Sequence, residues 1–455
     1  MTYPEVLNYL DSFADYEKNT QYSYKKDLKL ARIQGFLSLL KDPQDFLRVI
    51  HVAGTKGKGS VCAFVAYILR ESGFTVGLFT SPHLNDFRER IRILRPTVIK
   101  NRSKAAGFEG MISKRELTYL VKEVKPLISK YNYNSKYGRL TFFEIYTALA
   151  FLYFKRRQVN FVVLETGMGG RLDSTNTACS LVCGISPISL DHMQKLGRSL
   201  SRIAIEKAGI IKRNKQIVIS ACQKKEVSRI INDRCKKFCS TFYEVGKEIK
   251  YFKSRQGFNV QGLFKKYKNL RLRLLGEHQV ANAALAVGLV EAASLYGFNI
   301  SEPAIRAGLY NTIWPGRCEI INRRPLVVLD GAQNLASALA LKKAISDNFI
   351  CLPNRQRSVF SGRYKKIILV LGISADKDIS GICKVFNSLA DEIILTQANT
   401  KRAASAEKLA KYFRRKLYLT QSVKEAKILA NRLAKKEDLI LVTGSLFVVG
   451  EYRDV

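Results

Sequence analysis

The sequence predicts an α/β protein of two domains: an N-terminal parallel-sheet domain over residues 1–312 and a smaller, Rossmann-like α/β domain over 313–455. Three observations predict it. Short apolar, β-branched runs alternate with segments whose apolar residues recur at helical spacing, the pattern of a parallel sheet covered on both faces. The first strand–helix pair is joined by a glycine-rich stretch, "HVAGTKGKGS" (51–60). The alternation restarts after "NTIWPGR" (311–317), and 455 residues exceed one ordinary core.

Residues 1–48 read as helical, with mixed charge and apolar spacing. "FLRVIHVAG" is a strand that stops at Gly54, and "SVCAFVAYILRESG" is a helix closed by Gly73 as its C′ residue. "FTVGLFT" completes a βαβ unit with the glycine loop at a strand's carboxyl end. A helix follows at 140–157, strands at 159–167 and 180–188, the helix "SLSRIAIEKAGII" and the strand "QIVIS". Segment 240–275, short-patterned and basic, reads as a small antiparallel excursion, and 278–297 as the helix that closes this half. The second half offers strands at 326–331, 366–372, 392–397 and 439–445, with helices between.

At 47% hydrophobic and 10% aromatic residues, the chain can bury sizeable cores, which excludes wholesale disorder. It has neither an uncharged apolar run of about 18 residues nor an apolar segment near its N-terminus. A cytoplasmic protein without a membrane partner is therefore expected. Nine cysteines, an odd count without C-x₂-C pairs, read as reduced thiols. Lys and Arg number 76 against 38 Asp and Glu, a net charge of +38 that would draw polyanions. The basic stretches, such as "KNRSK" at 100, "FKKYKNLRLRL" at 264 and "RYKK" at 363, are dispersed, and no RRM, zinc-finger or basic-zipper pattern accompanies them. No specific nucleic-acid partner is expected, while anionic small substrates would benefit from the field.

The glycine stretch departs from the usual phosphate loop, G-x-x-x-x-G-K-[ST], because Gly59 separates Lys58 from Ser60. Its glycines let backbone N–H groups face phosphate oxygens, and the helix N-terminus adds partial positive charge. Lys58 would offset phosphate charge, and Ser60 would cap the helix or touch phosphate. A structural turn is the plain alternative, but three glycines with lysine and serine between strand and helix favour a nucleotide. Glu165 ends the "VVLE" strand before "TGMGGRLDSTN", where a carboxylate can hold Mg²⁺ alongside substrate phosphates; otherwise it is a turn acid. His192, one of four histidines, is either structural or a further metal ligand. Lys207 sits in an apolar helix, so it needs a partner, a modification or an exposed position. Arg317, Asp330 in "VLDGAQN" and "ADKD" (375–378) mark strand ends of the second domain, facing the interdomain cleft where the active site is expected.

Taken together, these stretches resemble the folylpolyglutamate synthase/dihydrofolate synthase family of the Mur ligase superfamily. The likeness runs nearly end to end, through "HVAGTKGKGSV", "FTSPHLNDFRERIRI", "TFFE", "LETGMGGRLDSTN", "LDHMQKLG", "EKAGIIK", "GEHQVANAALA", "WPGRCEI", "LDGAQN", "GISADKD" and "TGSLFVVGE". The family's own phosphate loop carries the extra glycine. The resemblance implies that Gly57, Lys58, Gly59 and Ser60 hold ATP phosphates, with Asn282, Arg317 and Asp330 also on the nucleotide. It implies two Mg²⁺ sites, one at Ser81 and Glu165 and one at His192, and a carbamylated Lys207. Thr141, Phe142, Phe143 and Glu144, with Leu172, Asp173 and Ser174, match stretches that bind the pterin substrate.

The implied reaction is ATP-dependent ligation of L-glutamate to 7,8-dihydropteroate or a folate polyglutamate through an acyl phosphate, by a monomer. The family's D-G-A-H-N has histidine where this chain has Gln333, which leaves only hydrogen bonding there. Three other readings compete: a peptidoglycan-precursor Mur ligase, an ATPase stimulated by nucleic acid, and a non-catalytic nucleotide-binding relative.

Overall fold

The computed structural model describes residues 1–17, 22–96, 108–349 and 364–454. Cys351, the "KNRSK" stretch at 100 and Arg363 of "RYKK" lie outside the described residues. Two compact units divide the chain: Met1–His83, Phe87–Arg273 and Val280–Thr312 form the first, and Leu84–Asp86, Leu274–Gln279 and Ile313–Val455 the second.

The first unit is built on seven strands: β1 (Val49–Ala53), β2 (Val76–Phe79), β3 (Ile91–Leu94), β4 (Phe161–Glu165), β5 (Ser180–Ile185), β6 (Ile217–Ser220) and β7 (Thr241–Glu244). Their order is β3-β2-β4-β1-β5-β6-β7. Every residue of β1, β2 and β4 is buried, which is why these strands read as continuous apolar runs rather than alternating ones. β1 pairs in parallel with β4 on one side and β5 on the other, so the winding of the sheet reverses there. Ligands of α/β sheets bind beyond the carboxyl ends of strands at such a switch point.

The helix Lys58–Glu71 that follows β1 is buried from Ser60 to Arg70. It packs on the sheet and under the helix Glu302–Asn311, where Gly308 allows close approach: a Cβ there would lie 2.4 Å from the Ile68 Cα. Its C-terminus fits the sequence reading. Gly73 is left-handed (φ +91), its N–H donates to Arg70 O at 3.0 Å, and the Phe74 N–H donates to Leu69 O at 3.1 Å.

The α/β expectation holds, with two departures at sheet edges and one in the N-terminal segment. β3 runs antiparallel to β2, because the connection through residues 80–90 is too short for a helical crossover. β7 joins β6 in parallel, so the antiparallel excursion shrinks to β8 (Lys250–Ser254), β9 (Gly257–Gln261) and β10 (Lys266–Leu270). Residues 1–48 break into the helices Tyr3–Asp11, Tyr24–Asp27 and Leu30–Leu39.

The second unit carries β11 (Glu319–Arg323), β12 (Leu326–Leu329), β13 (Ile367–Leu371), β14 (Glu392–Leu395), β15 (Tyr418–Leu419) and β16 (Leu439–Thr443). The order is β11-β12-β16-β13-β14-β15, parallel except for the antiparallel edge strand β11. Its core joins the sheet to the helices Leu335–Phe349 and Ile379–Asn387. Among the described residues no helix is long and apolar enough to cross a membrane.

Candidate active site

The loop after β1 is held open by backbone geometry. Gly57 adopts φ +80 and is the N-cap of the helix Lys58–Glu71, so the first N–H groups of that helix have no intrahelical acceptor. Ser60 therefore does not cap the helix; it lies in the first turn, 4% exposed. Gly57 also has no room for a side chain, because a Cβ would meet Asn282 Oδ1 at 2.4 Å. Asn282 is thus packed onto the phosphate loop. Thr55 fastens the loop to the segment after β5: its N–H donates to Pro187 O at 3.0 Å, and the Ser189 N–H donates to its hydroxyl at 3.1 Å. That segment carries Asp191 and His192.

Beside the loop, Glu165 ends β4 as a buried residue, 5% exposed. The Ser81 N–H donates to Oε2 at 3.2 Å, and Lys58 Nζ stands 3.9 Å from Oε1. Lys58, Ser81 and Glu165 are thereby gathered at one point. His192 is exposed, left-handed (φ 49), and its N–H donates to Asp191 Oδ1 at 2.9 Å. No group of three or more His, Cys, Asp or Glu side chains gathers as a metal cage among the described residues. One buried carboxylate and one serine suit Mg²⁺, which keeps few protein ligands and relies on phosphates and water. This oxygen set does not suit a soft metal such as Zn²⁺ or Cu⁺, which would need a nitrogen- or sulfur-rich cage.

Lys207 is 4% exposed near the end of the helix Leu200–Ala208, and its Nζ donates to Gly54 O at 2.6 Å. Burial and the neighbouring charge of Lys58 push its pKa down to about 7, against the pull of Asp191 and Asp173. The expected need for a partner is met by a backbone carbonyl, and the ammonium is poised to lose its proton. The glycine-rich loop 166–172 lies against this helix end. A Cβ on Gly170 would meet the Lys207 and Glu206 carbonyls at 2.7 and 2.8 Å, and Arg171 pairs with Glu206 at 2.9 Å. Tyr24 donates to the same Glu206 at 3.2 Å.

The stretch Thr141–Glu144 begins the helix Phe142–Arg156. The Thr141 hydroxyl and the Glu144 carboxylate form a capping box, and Arg32 Nε lies 2.9 Å from both Glu144 oxygens. Burial raises the Glu144 carboxyl while Arg32 pulls it down. With Thr141, Phe142 and Glu144 buried, Phe143 is the one partly exposed side chain of the four; its ring covers Gly167, where a Cβ would be 2.7 Å from Cζ. Leu172 is half-buried, and Asp173 and Ser174 are 4% and 7% exposed.

In the second unit the Asp330 carboxylate accepts from the Cys318 N–H at 2.8 Å and the Ala332 N–H at 2.9 Å, which ties "WPGRC" to the end of β12. Burial raises its pKa, with Arg317 and His278 opposing. Arg317 is half-buried and donates to Gly316 O at 3.0 Å. Gln333 heads the helix Leu335–Phe349 with its N–H on Ser337 Oγ at 3.2 Å. In "ADKD", Asp376 pairs with Arg402 at 2.9 Å and Asp378 caps the helix Ile379–Asn387, so both have structural partners.

Sequence reasoning missed three residues. Arg32 holds Glu144 across 112 residues of chain, and His51 is hydrogen-bonded under the glycine-rich loop. Lys56, half-buried in the phosphate loop, has its pKa lowered by burial while Asp191 raises it. The only available signals were a histidine inside an apolar run and a second lysine in "GTKGKGS".

The Mur ligase middle domain matches residues 52–290, and the Mur ligase glutamate ligase domain matches 316–446. The Bacillus subtilis (strain 168) dihydrofolate synthase/folylpolyglutamate synthase is 33% identical over 434 residues, covering 93% of this chain and 94% of its own. The chain belongs to the dihydrofolate synthase/folylpolyglutamate synthase family of Mur ligases. The Escherichia coli (strain K12) relative is 30% identical over 455 residues, covering 99% of this chain and 96% of its own. Among solved structures, Mycobacterium tuberculosis folylpolyglutamate synthase complexed with ADP superposes with a TM-score of 0.85 at 29% identity, covering 99% of this chain and 97% of that one. E. coli FolC in complex with DHPP and ADP gives 0.82 at 29% identity, covering 100% and 97%. Membership makes this chain an ATP-dependent, amide-forming ligase that adds glutamate to a folate-type acceptor, and the peptidoglycan-precursor alternative falls away.

Proposed function

We propose that this ligase joins L-glutamate to the carboxylate of 7,8-dihydropteroate or of a folate polyglutamate, through an acyl phosphate, at the site built from Lys58, Glu165 and Lys207. The observation that carries this reading is the convergence of three groups at the carboxyl ends of β1 and β4: a phosphate-loop lysine, a buried carboxylate, and a second lysine with a pKa of about 7.

In this account the N–H groups of Gly57, Lys58, Gly59 and Ser60 and the Lys58 ammonium hold the β- and γ-phosphates, and Asn282, Arg317 and Asp330 contact the rest of the nucleotide. Ser81 and Glu165 would hold one Mg²⁺ and His192 a second, supplying positive charge that offsets the phosphoryl oxygens. Lys207, carrying CO₂ as a carbamate, would present an anion where the free amine now meets Gly54 O. The pterin would lie against Phe143 and the Leu172–Ser174 stretch, with Thr141, Phe142 and Glu144 shaping the wall behind Phe143.

A carboxylate oxygen of the acceptor attacks the γ-phosphorus, the bond to the β,γ-bridging oxygen breaks, and ADP leaves. The glutamate amine then attacks the acyl carbon, the carbon–oxygen bond to phosphate breaks, and the amide forms with loss of a proton. A cytoplasmic monomer is part of the proposal.

The test is product analysis with ATP, Mg²⁺ and glutamate, offering dihydropteroate and tetrahydrofolate in parallel. A glutamate adduct on at least one is expected. ATP hydrolysis stimulated by RNA, with no adduct on either, would overturn the reading.

Gly57→Ala checks the loop. A left-handed alanine costs about 1–2 kcal/mol, and its methyl would displace Asn282, so the ADP Kd is expected to weaken about tenfold or more. Gly73→Ala is the control, since it shares the positive φ with nothing within 4 Å. It is expected to lower Tm with ADP affinity unchanged, as read by calorimetric titration.

A further inference from the structure

The Asp173 carboxylate is the clasp of the glycine-rich loop. Oδ2 accepts the Met168 N–H at 2.8 Å, and Oδ1 accepts the Thr175 N–H at 3.0 Å and the Thr175 hydroxyl at 2.5 Å. Three donors spanning residues 168–175 therefore close the loop onto one buried carboxylate. Behind Thr175 stands His51, fully buried on β1, with Nε2 at 2.8 Å from Thr175 Oγ1.

The proton positions follow from the donors available. Burial raises the Asp173 pKa, while the Thr175 and Met168 donors and Lys58 favour its ionised form; ionised, the carboxylate can only accept, so the Thr175 hydroxyl proton is committed to it. The contact between His51 and Thr175 then needs the proton of His51 Nε2–H. The imidazole is neutral, because burial, aided by Lys212, pushes its pKa down to about 3. Its Nδ1 is thus a bare acceptor, buried without a hydrogen-bond partner among the described residues. An apolar side chain would fill this place on β1 without polar atoms to satisfy. What the histidine adds is direction: a chain of like-oriented donors, each polarising the next, that ends on Asp173.

The residue that follows β1, Gly54, supplies the carbonyl acceptor for Lys207 Nζ, three residues beyond His51 along the chain, about 10 Å. One rigid strand therefore sets both the Asp173 clasp and the seat of Lys207.

We propose that His51 is a positioning residue that, through Thr175, fixes the Asp173 carboxylate and with it the substrate-side loop Thr166–Ser174, so that its loss weakens use of the pterin acceptor and not of the nucleotide. The proposal rests on the reading of Leu172–Ser174 as the acceptor's contact; failure of that reading shows separately, as a Leu172→Ala variant whose acceptor KM is unchanged.

The experiment compares wild type with His51→Leu, Thr175→Val, the double variant and His51→Gln, whose amide nitrogen stands in for Nε2. His51→Leu and Thr175→Val are each expected to raise the acceptor KM at least about fivefold, with the ATP KM within about twofold of wild type. The double variant is expected to be no worse than the poorer single one, and His51→Gln to return the acceptor KM towards wild type. Urea midpoints, which need no substrate, are expected to be equally non-additive. Additive effects on both the midpoint and KM would overturn the relay. Non-additive midpoints with an unchanged acceptor KM, or equal rises in both KM values, would overturn the positioning role.

Discussion

Lys207→Ala is expected to lower the rate of glutamate ligation by at least about 100-fold, the scale on which removing one preorganised charged group acts. The expectation comes from the seat of the side chain. Its Nζ is 2.6 Å from Gly54 O, the residue is 4% exposed, and its pKa sits at about 7 rather than the usual 10.5. Near neutral pH about half of such an amine is uncharged, and its lone pair can attack CO₂, forming an N–C bond and releasing a proton. Wild-type protein in ¹³C-bicarbonate should show a carbamate carbon resonance that Lys207→Ala lacks, and short carboxylates should partly restore ligation by the variant. Full activity in Lys207→Ala would remove the lysine from the mechanism.

The same shift has a stability consequence with a definite sign. The folded pKa of the free amine lies below the unfolded value, so the unfolded chain binds the proton first as pH falls from 10.5 towards 7. The uncarbamylated lysine therefore costs stability increasingly through that window, and the cost is complete below pH 7. Lys207→Met should raise Tm at pH 6 while abolishing ligation, which separates loss of function from loss of fold.

Glu165→Gln is expected to reduce ligation about 100- to 1,000-fold with the fold retained. The volume is kept and the amide can still accept from the Ser81 N–H, but the charge facing Lys58 is gone. On the proposed assignment of Lys58 to phosphate, that carboxylate competes with the nucleotide for its ammonium. Without added Mg²⁺, ADP should therefore bind Glu165→Gln at least as tightly as wild type, and with Mg²⁺ the order should reverse. Titration calorimetry in EDTA and in Mg²⁺ reads both. Weaker ADP binding in EDTA would contradict the arrangement.

Much of this site was legible as sequence because its parts are local. The strand, the glycine turn and the buried helix after it follow from a continuous apolar run, three glycines and apolar spacing over residues 49–73. Glu165 was legible as an acid ending an apolar strand, and Lys207 as a cation in an apolar helix. What stayed hidden depends on contacts distant in the chain. The partner of His51 is 124 residues away and that of Glu144 is 112, and no periodicity reports them. Edge strands were hidden for a related reason. β7 has one buried residue and β11 none, so they lack the apolar run that betrays a central strand. Thr141 and Glu144 show the opposite limit, since T-x-x-E before an apolar run is a helix start on its own terms, and the resemblance drew attention to substrate instead.

The central claim is that the acceptor carboxylate takes the γ-phosphoryl group before glutamate attacks. Oxygen transfer measures it directly. With both carboxylate oxygens of dihydropteroate, or of the folate acceptor that yields product, labelled as ¹⁸O, the account predicts one ¹⁸O atom in each phosphate released per amide formed. Phosphate free of label, alongside normal amide yield, would contradict it.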